Sequence, residues 1–79
     1  MTTFEELNNV FCRVFDDEDI NITRETTSND IEGWDSLSHV NLVVSVEKHF
    51  KIKFRSSEIL KWKNVGQMHD SIEEKLGEK

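Results

Sequence analysis

The 79-residue chain has no proline, three glycines and a single cysteine. Without proline nothing forces a break inside a helix, and with so little glycine few turns can use a left-handed backbone. One cysteine excludes an intramolecular disulfide, and no cluster of cysteine and histidine has the spacing of a metal site. A chain this short buries only about 60% of its unfolded surface, so without staples helix packing must hold it together. No apolar run approaches the roughly 18 residues of a membrane span, and no signal-peptide pattern opens the sequence. These absences point to one domain over residues 1–79, monomeric and cytoplasmic.

Positive charge is also scarce. The net charge is −6, and it is unevenly spread. Ten acids and two bases give residues 1–35 a net charge of −8, whereas two acids and six bases make residues 36–63 +4. The remaining residues come to −2. An acidic chain of this kind disfavours nucleic acid as a partner, even with Lys48, Lys51, Lys53, Arg55, Lys61, Lys63 and Trp62 gathered in its middle third.

What is present is helical spacing. Phe4, Leu7, Val10, Phe11, Val14 and Phe15 recur at three and four residues, with Glu5 and Glu6 in the first turn. This predicts an amphipathic helix from Thr3 to about Phe15, capped by Thr2 or Thr3. Cys12 lies beside that stripe and reads as a small, half-buried filler. The acidic run Asp16-Asp17-Glu18-Asp19 lacks the glycine and terminal glutamate of a calcium loop, so it reads as a solvated connection. Ile20 and Ile22 are placed to pin the long loop, roughly residues 16–34, against the core.

The stretch Gly33-Trp34-Asp35-Ser36-Leu37 opens a second helix that runs to about Phe50. Asp35 suits the N-cap, which places Ser36 exposed in the first turn, in the positive field of the helix dipole. At about 100° per residue, with Leu37 as zero, Leu42, Val46, Phe50 and Val43 fall between roughly 140° and 240°. Leu37, Val40 and Val44 fall at roughly 0°, 300° and 340°, on the other side, flanked by Asn41 and Lys48. The helix therefore has one face for the core and a small apolar face its own domain does not cover, beside an exposed serine. Trp34 can pack on the bundle or offer an aromatic contact to a partner.

Further on, Lys51-Ile52-Lys53-Phe54-Arg55 alternates like a strand but has no second strand to pair with, so it reads as an extended segment burying Ile52 and Phe54. Ser56 or Ser57 would cap a short helix, Glu58 to Trp62, and a last helix spans about Val65 to Leu76. The expected core is Phe4, Leu7, Phe11, Leu42, Val43, Val46, Phe50, Phe54, Ile59, Val65, Met68 and Ile72. His49 and His69 read as surface residues. The fold class is all-α: a small bundle of three longer helices and one short one, with a long loop between the first two.

Asp35, Ser36 and His39 hold the letters of a nucleophilic triad. A base at i+3 on the same helix would have to bend back toward its N-terminus with no third group to orient it. His39 also projects toward the core stripe, and a domain this small is expected to lack a pocket of enzyme size. Hydrolysis by these residues is therefore not the reading taken.

Asp35-Ser36-Leu37, followed by Val40, Leu42, Val43, Val46, Glu47 and Phe50, resembles the acyl carrier proteins. The resemblance implies a 4′-phosphopantetheine arm on Ser36 whose thiol carries an acyl or aminoacyl thioester between separate enzymes. It also implies that Asp35 assists the phosphopantetheinyl transferase. The chain would catalyse nothing itself. Its partners would be that transferase and acyl-loading and acyl-using enzymes, meeting a face of Trp34, Leu37, Val40, Asn41, Val44, Glu47, Lys48 and Trp62. Carriers of fatty acid synthesis usually place acids along this helix; here Ser38, Asn41 and Lys48 stand instead, and Ser56, Ser57 and Lys61 thin the acids further on. The departure points to a specialised carrier. The rival reading is an unmodified helical interaction module using Leu37, Val40 and Val44.

Overall fold

Thr2 starts the first helix. Its hydroxyl accepts from Glu5 N at 3.1 Å while Glu5 Oε1 accepts from Thr2 N at 3.2 Å, a reciprocal cap for two orphan amides. In the computed structural model, which describes residues 2–77, the elements are α1 (Thr3–Val14), α2 (Ser36–Phe50), α3 (Ser56–Lys61) and α4 (Val65–Gly77). The expected all-α bundle and its long first loop are both present. Phe15 is the C-cap of α1, and the acidic run follows outside the helix, where its charges no longer sit on the last turn.

Helix α1 packs against α2 and α4, and α3 lies against α4. Leu7, Val10, Phe11, Leu42, Val46, Val65, Met68 and Ile72 are essentially sealed from solvent, with Val43, Phe50, Ile22 and Ile52 completing the core. Phe4, Phe54 and Ile59 are only half-buried, contrary to expectation. Phe4 caps the rim of the bundle edge-on to His69, and Phe54 meets Trp62 edge-on, so each ring is covered on one side. Ile59 belongs to a helix of six residues that buries no side chain fully.

Two further expectations need correction. Arg55, not a serine, holds the N-cap position of α3, and Ser56 and Ser57 are already helical. Glu58 Oε2 accepts from Arg55 N at 3.2 Å, so the third helical residue satisfies the amide that a serine cap would leave alone. The helix also stops at Lys61, leaving Trp62 as its C-cap. His69 is not a surface residue. It sits under Phe4, 16% exposed, within 3.1 Å of Glu73 but not aligned for a hydrogen bond. His49 does lie at the surface, where its Nε2 is 3.2 Å from Glu6 Oε1.

The long loop is held near its start and at its middle by hydrogen bonds to α1 and α4. Asn8 reaches from α1 to it twice: Nδ2 donates to Ile20 O at 3.2 Å and Oδ1 accepts from Ile22 N at 2.7 Å. Cys12 lies half-buried beside the same carbonyl. Farther along, Thr26 O accepts from Val65 N at 2.8 Å and Arg24 O from Gly66 N at 2.9 Å. Two orphan amides at the start of α4 are thus satisfied by the loop. Gly66 is required by that approach, because a Cβ there would lie 2.9 Å from Arg24 O. The Arg24 guanidinium adds a two-pronged pair to Asp70 at 3.0 and 3.1 Å. This strap brings residues 27 and 28 and the start of α4 to the same end of the bundle as Ser36.

Candidate functional site

The N-terminus of α2 is built by its own turn. Gly33 takes φ +86, a backbone state that L side chains rarely adopt, and Asp35 follows in extended conformation as the N-cap. Asp35 Oδ1 accepts from Ser38 N at 2.9 Å, and Asp35 O accepts from His39 N at 2.8 Å. The bond from the Ser38 amide holds the Asp35 carboxyl below its ordinary pKa, so it stays ionised at neutral pH. Ser36 is then the first helical residue, exposed, in the field that favours an anion.

Beside it, the alternative left open for Trp34 resolves toward packing. Its ring lies 5.3 Å from Phe11 and 6.0 Å from Phe15, centroid to centroid, so the indole is half-buried on the bundle. Its Nε1 donates to His39 Nδ1 at 3.1 Å. The two rings are 21° from coplanar with centroids 6.0 Å apart, an edge-to-edge arrangement that aims the indole N–H along the Nδ1 lone pair. Burial lowers the His39 pKa, and the accepted bond requires Nδ1 unprotonated. His39 is therefore neutral at pH 7, with its proton on Nε2. Among the described residues no hydrogen bond joins Ser36 to His39, and the nitrogen a triad would need is occupied. The triad reading fails on geometry.

An open groove of about 420 Å³ begins at Ser36. It is lined by Trp34, Asp35 and His39 from the start of α2, by Trp62, Lys63, Asn64 and Met68 from the chain around the start of α4, and by Thr27 and Ser28 of the long loop. Its volume falls in the range of small-ligand sites, which corrects the expectation that the domain holds no such hollow. Hollows of comparable size occur elsewhere on the surface, so position, not size, distinguishes this one. Sequence reasoning reached Trp34, Asp35, Ser36 and Trp62, and met Lys63 only as one of a basic cluster, but did not reach Thr27, Ser28 or Asn64. Their place in the groove depends on the loop strap, which no local pattern announces.

Leu37, Val40 and Val44 are exposed to 73%, 58% and 42%, a contiguous apolar strip running along α2 from Ser36. Asn41 and Lys48 are exposed beside it. Glu47 is turned differently. Its Oε2 accepts from Phe54 N at 2.8 Å, fixing the segment after α2, and Lys51 reverses the chain there at φ 58. Trp62 lies away from the strip, across the groove, with Nε1 donating to Ser71 Oγ at 2.8 Å. The expected partner face thus divides into a strip on α2 and a groove behind it.

A family model described as a phosphopantetheine attachment site matches residues 5–77. The chain belongs to that family. The carrier is also similar to the solution NMR structure of a holo acyl carrier protein from Geobacter metallireducens, at 52% identity and TM-score 0.92, over 99% of this chain and 90% of that one. No curated protein matches it. The carrier accordingly bears acyl groups on a phosphopantetheine arm and is not an enzyme. It works with a transferase that supplies the arm and with enzymes that load and use the acyl group. Among the described residues no helix is long and apolar enough to cross a membrane, and no group of three acidic, histidine or cysteine side chains could hold a metal ion.

Proposed function

We propose that Ser36 is the attachment residue, that Asp35 serves the transferase, and that Leu37, Val40 and Val44 form the docking strip for acyl-loading and acyl-using enzymes. One observation carries this reading. Ser36 is an exposed hydroxyl in the first turn of a fifteen-residue helix, on the rim of a groove walled by two indoles. A phosphodiester on Ser36 Oγ would sit in the favourable field of that helix end. The residues present therefore fit the group. When bound, the arm supplies a thiol that holds the acyl cargo as a thioester. The chain's own part is to present Ser36, keep Asp35 ionised beside it and offer the apolar strip.

The charge of that strip's rim supports a narrower role. Asn41 and Lys48 flank it, and Lys51 follows the helix. Rim charges act mainly on encounter and on rejection of wrong partners. The carrier suits dedicated, cytoplasmic partner enzymes whose docking face is acidic or apolar, and it works as a monomeric domain outside housekeeping fatty acid synthesis.

The test is a mass measurement after incubation with coenzyme A and a phosphopantetheinyl transferase. The intact protein should gain one arm. Ser36→Ala should gain none while keeping its helical circular dichroism, because Asp35, not Ser36, caps the helix. A Ser36→Ala protein that still gains the arm would overturn the assignment.

A further inference from the structure

Two residues that line the groove with Ser36, Trp34 and His39, are tied to each other in a way the carrier role does not use. Trp34 Nε1 donates to His39 Nδ1, which fixes the neutral ring with its proton on Nε2. His39 lines the groove, stands three residues after Ser36 on the same helix, and its ring makes no other hydrogen bond among the described residues. Side chains three apart on a helix are neighbours, and those at the start of a helix lean toward its N-terminus. The ring therefore keeps one unused N–H donor beside the hydroxyl that takes the arm. A donor held in a single tautomer by a packed, half-buried partner is characteristic of positioning, not of a ring that merely fills space.

We infer that His39 is a positioning residue for the prosthetic arm: its Nε2–H, held ready by the Trp34 indole, donates to the phosphodiester formed at Ser36 and seats the arm against the groove between Trp34 and Trp62. This rests on Ser36 being the attachment residue. The arrangement suits its task chemically. A phosphodiester carries a permanent negative charge and oxygens that only accept, and a neutral imidazole offers one donor without adding a charge to the unloaded carrier. The charged groups that line the groove with the ring are Asp35 and Lys63. Asp35 is present in loaded and unloaded carrier alike, as is Lys63, so a change in His39 on loading reports the new anion.

Loading is read first by mass, which tests Ser36 alone. The imidazole of His39 is then titrated by NMR in unloaded and loaded carrier, with the ³¹P resonance of the arm followed over the same pH range. The His39 pKa should rise by about one unit on loading, because a nearby anion favours the imidazolium. The ³¹P resonance should show a step at the same midpoint. Acidification should also move the Trp34 indole N–H resonance, since protonation of Nδ1 removes its acceptor. Loaded His39→Gln should lose the ³¹P step. A successfully loaded carrier whose His39 pKa moves by less than about 0.2 units, with a flat ³¹P profile, would overturn the inference and leave the Ser36 assignment standing. The decisive measurements need no variant, so a poorly folded His39→Gln does not blunt them.

Discussion

Helices α1 and α2 are close in length and both rich in apolar residues, yet they dispose of them differently. In α1 every large apolar side chain serves the interior: Leu7, Val10 and Phe11 are sealed, and Phe4, Val14 and Phe15 pack against that cluster. In α2 the apolar residues divide. Leu42 and Val46 are 0% and 1% exposed, whereas Leu37 and Val40, on the same helix, are 73% and 58% exposed. Propensity does not separate the two helices; the angular spread of their apolar residues does. A small domain has one core, so a second apolar stripe next to a capped helix start marks a surface held for something outside the chain. That is why the proposed docking strip lies on α2 and not on α1.

The largest test of this comparison is truncation on the two faces of α2. Val46→Ala or Phe50→Ala should cost on the order of 2–4 kcal/mol, from lost burial and the cavity left behind. For a domain of this size that is a large share of its stability. Leu37→Ala or Val44→Ala should cost under about 1 kcal/mol, because exposed positions lose little by truncation. Urea denaturation followed by circular dichroism reads both. If Leu37→Ala proves as costly as Phe50→Ala, the strip belongs to the core and the contrast between the helices collapses.

Much of this was legible before any coordinates. The cap at Asp35, a cap at Thr2 or Thr3, the limits of α2 and the exposure of its second stripe all follow from spacing and capping chemistry, which act within a few residues. The groove did not follow, because it depends on contacts across the chain. Thr27 and Ser28 reach Ser36 only because Arg24 O and Thr26 O satisfy the amides of Val65 and Gly66. His39 shows the limit most clearly. Its angular position pointed toward the core stripe, and the ring is indeed half-buried, but its partner is Trp34, five residues back in the turn before the helix. Helical periodicity says nothing about a residue outside the helix. The bond that Glu47 accepts from Phe54 N lay out of reach for the same reason, since it depends on how the chain reverses at Lys51.

A smaller effect sharpens the comparison at the rim of the exposed strip. Asn41→Glu combined with Lys48→Glu changes neither core nor attachment turn, so stability should move little. Turnover by fatty-acid-synthesis enzymes with basic docking faces should rise several-fold at low salt, because rim charges govern encounter. Added salt should erase most of the gain, as screening shortens the reach of those charges to about 8–10 Å. If the unaltered carrier already serves such enzymes as well as their own carrier does, its rim is not selective.

The smallest effect lies where the two helices are joined by an aromatic wall, Phe11 and Phe15 of α1's end against Trp34 and through it His39. Burial lowers the folded pKa of His39 below its ordinary value of 6.5. The unfolded chain then binds more protons between those two values, so stability rises with pH across that window. The contribution is fully present above about pH 6.5 and is lost as pH falls toward the folded pKa, where protonation also removes the acceptor for the Trp34 indole. A ring that keeps part of its surface in water feels screening, so the effect on Tm between pH 7.5 and 5.5 should be no more than about 2 °C. His39→Gln keeps an acceptor for Trp34 but does not titrate, and it should flatten that part of the slope. An unloaded His39→Gln carrier with the full slope of the original would show that the aromatic wall does not sense the proton, and that His39 is no more coupled to α1 than a surface histidine.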